Sequence, residues 1–277
     1  MTVKVVTDST SDISDEVVRE LGITVVPLYV HFGREVYQDG VDLSADEFYH
    51  KLVTGSELPK TAAPSAGTFI ETYEKLAGET DEIISIHISS KLSATYSSAL
   101  LGKGGMKVSC RVEVIDTFTA SIGLGLIVIT AAKAALAGAK LDEIVAMIKQ
   151  TIPETHYFGI VDNLEYLYKG GRIGKAQAFL GSMLNVKPLL IVQDGEVHPL
   201  ERVRGRSNAI DRVCQLAGKY PDIKEMAIAH TTTPDDLEMF AERLAPLFPP
   251  DKIYKSRCGP TIGTYVGPGC LTIALIG

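Results

Sequence analysis

Apolar residues fall into short runs of strand length, and these alternate with stretches that repeat at helical spacing. Residues 3–7 are rich in β-branched side chains and run into Asp8-Ser9-Thr10-Ser11-Asp12, a loop and helix-cap composition. The pattern predicts a strand there, then a helix over 16–21. Residues 25–38 read as extended, with a turn at Gly33, and Ser44 with Glu47 forms a capping box ahead of a helix over 48–53. Further strands are predicted at 82–87 and 112–115, each followed by a helix. Such alternation implies a parallel sheet with helices on both faces.

Beyond Pro153 the texture changes. Strand patterns at 157–161, 186–192 and 197–203 are joined by a short helix over 164–167 and by Gln193-Asp194-Gly195-Glu196. Asp-Gly between two apolar runs is a strong hairpin signal. Helix, strand and helix follow at 208–216, 225–229 and 235–244, and a last strand at 271–276 comes after a glycine- and proline-rich loop over 258–269. Hairpins mixed with strand–helix units indicate a mixed sheet. The fold class is therefore α/β with two domains: residues 1–153 as a three-layer α/β/α domain on a parallel sheet, and residues 154–277 as an α/β domain on a mixed sheet.

The most apolar stretch, 122–139, has the length of a marginal membrane span. It contains Lys133, Gly123, Gly125 and several alanines, so a buried helix is the reading preferred over stable membrane insertion. The first seven residues show no secretory signal. An apolar share of 45% against 22% charged residues is enough for a sizeable core, and a formal net charge of −7 argues against nucleic acid or an anionic membrane face as the main partner. Cys110, Cys214, Cys258 and Cys270 never approach C-x-x-C spacing, which excludes a cysteine-only zinc ribbon and fits a reduced, cytoplasmic chain.

Several catalytic signatures fail on single residues. Ala63-Pro64-Ser65-Ala66-Gly67 lacks the first glycine of a nucleophile elbow, and the residues before it form a poor strand, so Ser65 reads better as a helix cap. Gly170-Gly171-Arg172-Ile173-Gly174-Lys175 is one residue short of a phosphate loop, and Ala176 stands where a magnesium-binding hydroxyl belongs. The six histidines show no metal-ligand spacing, so neither a metal nor a cofactor is expected. The Asp8 and Asp12 pair fits a cation or a cap equally well.

Hydroxyls gather after three strands: Thr7, Ser9, Thr10 and Ser11; Ser89, Ser90, Ser93, Thr95 and neighbours; Thr117, Thr119 and Ser121. Ligands of open parallel sheets sit beyond the carboxyl ends of strands, where hydroxyls can donate to an anionic head without carrying charge. Each hydroxyl alone suits a cap or turn; three such loops together suggest a polar ligand site. Residues 169–206 carry seven cations (Lys169, Arg172, Lys175, Lys187, Arg202, Arg204, Arg206) against three acids. This segment is either a solvated face or a docking patch.

The motifs Thr7-Asp8-Ser9-Thr10-Ser11-Asp12, Lys60-Thr61-Ala62-Ala63-Pro64-Ser65, Ile88-Ser89-Ser90-Lys91-Leu92-Ser93-Ala94-Thr95-Tyr96, Gly170-Gly171-Arg172-Ile173 and Gly259-Pro260-Thr261-Ile262-Gly263-Thr264-Tyr265-Val266-Gly267-Pro268-Gly269 resemble, in order, the signatures of the DegV family. The resemblance implies the two-domain DegV-like (EDD) fold and a lipid-binding carrier without catalysis of its own, its only ligand a long-chain fatty acid such as hexadecanoate. It implies a carboxylate held by Thr61 and Ser93, with Tyr265 standing where the family commonly has histidine. Ser65, Ser90 and Thr264 are the further candidate contacts. It also implies presentation of the acid to a separate ATP-dependent fatty acid kinase, giving an acyl phosphate for phospholipid synthesis, with Arg172 and Arg202 docking that partner. The competing reading is a serine-dependent esterase or thioesterase using Ser65 or Ser93 with His87.

Overall fold

The computed structural model describes residues 2–55, 57–181 and 185–277; Met1, which opens the run of seven residues considered above, lies outside them, as do Ser56 and residues 182–184. The chain runs β1 (Lys4–Asp8), α1 (Asp15–Glu20), β2 (Thr24–Val26), β3 (Tyr29–Phe32), β4 (Glu35–Gln38), α2 (Ala45–Thr54) and β5 (Lys60–Ala62). It continues through α3 (Ala66–Ala77), β6 (Glu82–His87), α4 (Thr95–Gly105), β7 (Arg111–Asp116), α5 (Ser121–Leu136) and α6 (Leu141–Glu154). Then come β8 (Thr155–Ile160), α7 (Glu165–Lys169), β9 (Val186–Gln193), β10 (Glu196–Arg204) and α8 (Arg206–Ala217). The last elements are β11 (Glu225–His230), α9 (Pro234–Leu244), β12 (Tyr254–Arg257), α10 (Pro260–Val266) and β13 (Leu271–Ile276).

Strands β2-β1-β6-β7 form the parallel sheet, with Val6 beside Thr24 and Lys4 beside Ile83. Strands β10-β9-β8-β13-β11-β12 form the mixed sheet, antiparallel except between β11 and β12. A small antiparallel sheet, β4-β3-β5, places Thr61 opposite Val30.

Alternation along the strands explains the layering. One face of the parallel sheet, with Val6 and Ile83, packs on Phe69, Tyr73 and Ala99 of α3 and α4. Its other face, with Ile84 and Ile86, packs on α5 and α6, and so do Ala227, Ala229, Ala274 and Ile276 of the mixed sheet. The far side of the mixed sheet is covered by Ile210, Val213, Phe240 and Leu244 of α8 and α9. Helix α5 is therefore a shared middle layer between two sheets, which is why it is apolar on every side without being a membrane span. No described helix is long and apolar enough to cross a membrane. Lys133 lies at the rim of this helix and donates to Glu225 at 2.5 Å.

Two local readings are corrected. Residues 58–61, read as a poor strand, contain the start of β5, which is short and held by pairing with β3. Residues 258–269, read as a loop, contain α10, where Pro260 opens the helix and Gly267, at φ 70°, ends it.

Candidate functional site

A cavity of about 780 Å³, counting its open mouth, lies between the loops of the parallel sheet and the inner face of the mixed sheet. Its size falls within the usual range for small-molecule pockets. Most of its wall is apolar: Leu28, Ile88 and Leu92 on one side, Leu190, Ile191 and Val197 on the other. The polar positions are few. Each hydroxyl-rich loop contributes one, namely Thr10, Ser93 and Ser121; β5 adds Thr61, β8 adds Tyr157, α10 adds Thr261 and Tyr265, and Arg172 completes the set.

Thr61, Tyr265 and Arg172 also line a second, more polar cleft with Lys60 and Lys169, so they form the partition between the apolar interior and an outer basic vestibule. Thr61 Oγ1 and Tyr265 OH lie 2.5 Å apart, and Ser93 Oγ lies 2.8 Å from Thr95 Oγ1. Each pair of hydroxyls has two protons and uses one between its members. Each can therefore offer one further donor to an anion without breaking its own bond. The Arg172 guanidinium stands 4.8 Å from the centre of the Tyr265 ring, and it donates to the carbonyls of Leu92 at 3.1 Å and Gly170 at 2.9 Å. A cation held this way is a fixed feature of the gate.

The remaining sequence candidates have other work. Ser65 caps α3 through the Thr68 amide and is exposed, so it does not reach the cavity. Ser90 is exposed as well, its amide tied to the Asp116 carboxylate. Thr264 lines the vestibule, but its hydroxyl donates to the Pro260 carbonyl at 2.9 Å within its own helix. Ser65 and Ser90 thus stand outside the cavity wall, and Thr264 stands in the wall of the vestibule. Arg202 is exposed at the sheet edge, with its guanidinium 4.6 Å from the Phe179 ring centre.

Two buried acids hold the gate helix in place. Asp12 accepts from the Gly259 amide at 2.8 Å and from Ser121 Oγ at 2.5 Å; Asp39 accepts from Ser9 Oγ at 2.9 Å and from the Thr261 amide at 3.3 Å. Burial pushes the Asp12 carboxyl up to about 8 and that of Asp39 up to about 6. The loops after β1 and β4 are thus fastened to the start of α10, which carries Tyr265.

A second polar cluster has no cavity at all. Tyr73 OH donates to Ser85 Oγ at 2.8 Å, Ser85 Oγ meets His87 Nε2 at 2.7 Å, and His87 Nδ1 meets Asp8 Oδ2 at 2.9 Å. Ser85, His87 and Asp8 are fully buried. His87 is committed to this chain and contacts neither Ser65 nor Ser93, and no histidine lines the cavity among the described residues. The esterase reading therefore has no base beside its serine. Among the described residues there is also no group of three or more His, Cys, Asp or Glu placed to hold a metal ion.

The profile of the family described as "Uncharacterised protein, DegV family" matches residues 2–277. The chain belongs to the DegV family. A DegV domain-containing protein of Caldanaerobacter subterraneus is 36% identical over 270 residues, 96% of this chain and 95% of the relative. The structure of a DegV protein from Thermus thermophilus, described as fatty acid binding, superimposes with a TM-score of 0.92 at 32% identity and covers both chains fully. A stearic acid-binding protein from Eubacterium ventriosum aligns with a TM-score of 0.89 at 25% identity, covering 99% of this chain and 98% of its own. The α/β architecture of a parallel and a mixed sheet, with the small β4-β3-β5 sheet beside them, is the DegV fold.

Proposed function

We propose that this DegV protein binds one long-chain fatty acid, with its tail in the apolar cavity and its carboxylate at the Thr61–Tyr265 and Ser93–Thr95 pairs beside Arg172. The observation that carries this reading is the gate itself: the Thr61–Tyr265 pair, with a spare donor, set where an apolar channel meets a basic vestibule, and a second such pair whose Ser93 lines the channel. About fourteen methylenes at roughly 0.8 kcal/mol each give about 11 kcal/mol from tail burial before ordering costs. Hydrogen bonds to a charged acceptor contribute about 1.5–3 kcal/mol each, so two of them offset much of the carboxylate's desolvation.

In this reading the protein is a carrier. A separate ATP-dependent kinase phosphorylates the carboxylate through the vestibule, and the acyl phosphate feeds phospholipid synthesis. Arg202, exposed, is a docking contact, and Arg172 serves from within the gate wall. Hydroxyl donors, with the Arg172 guanidinium engaged by the Leu92 and Gly170 carbonyls, leave the carboxylate a better nucleophile toward ATP than a direct lysine ion pair. Solvent extraction of the purified protein followed by mass spectrometry should release about one long-chain fatty acid per chain. Protein that comes out empty and cannot be loaded overturns the proposal.

A further inference from the structure

Gly159 is the only glycine within a strand among the described residues, and its strand, β8, lies inside the mixed sheet between β13 and β9. Glycine there weakens a strand, because it carries the largest entropy loss on folding and packs nothing. Such a residue needs a local reason. Backbone conformation does not supply one, since its φ lies outside the left-handed region. Nor does crowding. A Cβ built at Gly159 would meet Thr272 Cγ2 and Tyr157 Cε1 at 3.8 Å, ordinary van der Waals contact. Gly125 shows the contrast: its Cβ would fall 2.6 Å from the Ser11 carbonyl oxygen.

What a side chain at 159 would occupy is the cavity. Side chains alternate along a strand. Phe158 and Ile160 pack into the core beneath α8 and α9, while Tyr157, Gly159 and Val161 line the cavity. Strand β8 also gives the cavity a direction. Val161 packs with Leu167 and Ile173 in the cluster that touches Tyr265 at the gate, whereas Tyr157 packs against the α5 layer, near Gly123. Gly159 therefore lies roughly 7 Å further in than Val161, at about 3.3 Å per residue. Its register neighbour Leu190 lines the cavity as well, so a large side chain at 159 would project into the passage beside it.

We propose that Gly159 is the residue that lets a long acyl tail pass the middle of the channel, and so sets the chain-length preference of this protein. The inference rests on the fatty-acid reading above. Its test is competitive binding of decanoate, dodecanoate, hexadecanoate and octadecanoate to wild-type, Gly159→Ala and Gly159→Leu proteins, with thermal unfolding of each without added ligand. The alanine variant keeps the fold, because its Cβ fits. Gly159→Leu should weaken hexadecanoate and octadecanoate about a hundredfold or more relative to decanoate, and Gly159→Ala about tenfold, the lower end of what a single methylene is worth in an apolar pocket. Should the leucine variant not fold, the alanine shift alone decides. Wild-type protein that binds acids while the folded variants keep its chain-length preference overturns this inference alone. Wild-type protein that binds none of the four overturns the parent reading and this inference with it.

Discussion

Two clusters of hydroxyl groups, the buried one around His87 and the one at the gate, differ most in access. The chain from Tyr73 through Ser85 and His87 to Asp8 has the serine–histidine–aspartate contacts of a hydrolase, yet every member is sealed in the core. Among the described residues the gate of Thr61, Tyr265, Ser93 and Arg172 has no histidine or carboxylate to act as a base, yet all four line a channel and all but Ser93 also line the vestibule. A triad without room for substrate ties β6 to β1. Donors without a base, facing an apolar channel, form a binding site. Access, more than the list of residue types, separates the two.

The strongest way to sharpen the contrast is to strip the gate. Thr61→Val with Ser93→Ala should cost about 3–6 kcal/mol of fatty-acid affinity, a hundredfold or more, because two hydrogen bonds to a charged acceptor are lost. Thermal stability should change little. Unchanged affinity, measured by displacement of a fluorescent fatty acid, would move the head group elsewhere. The sealed cluster should respond the opposite way. His87→Ala leaves Asp8 and Ser85 buried without their partner and should cost about 3 kcal/mol or more of folding stability, read by denaturant unfolding. A fluorophosphonate probe should label neither Ser85 nor Ser93 in the wild-type protein; covalent labelling of either would break the comparison.

The acids that fasten α10 give a pH signature. Asp12 and Asp39 have raised carboxyl values in the folded chain, about 8 and about 6 against an ordinary 3.8, so the folded state holds more protons than the unfolded one above pH 4. Stability from this source is then fully present below about pH 4. It falls as pH rises to about 6 for Asp39 and about 8 for Asp12, and is level above that. Asp12→Asn should flatten the decline between pH 6 and 8; an identical profile in the variant would contradict the assignment. The smallest effect belongs to Arg202. Arg202→Glu should leave fatty-acid affinity within about twofold, because the exposed guanidinium lies outside the cavity wall. It should weaken kinase-dependent phosphorylation, and unaltered turnover by the kinase would remove Arg202 from the docking surface.

Much of this arrangement is legible in the sequence because its signals are local. The capping box at Ser44 and Glu47 and the Asp194-Gly195 hairpin depend on a few neighbouring residues, and both form as read. The hydroxyl-rich loops were readable as a group, but not by member. Which of Thr7, Ser9, Thr10 and Ser11 faces the cavity depends on where Ile86, Asp39 and Asp8 lie, and these partners are far away along the chain or across a turn. The positions of Ser65 and Ser90 outside the cavity wall were hidden for the same reason: nothing nearby in sequence shows which side of a loop faces the second sheet. Helix α10 was hidden by its glycines, which suit a loop in isolation. Here Gly263 is close-packed against Phe48 and Tyr49. The shared role of α5 could not be seen at all, since an all-round apolar helix does not name its two partners.

The central claim is that a carboxylate sits at the gate while its tail runs inward along β8. A crystal structure of the protein loaded with an ω-bromo fatty acid tests both ends at once. The account predicts carboxylate oxygens within hydrogen-bond distance of Ser93 and of Thr61 or Tyr265, and an anomalous bromine peak inside the channel beyond Gly159. A bromine peak at the vestibule, or a head group buried against Tyr157, would contradict it.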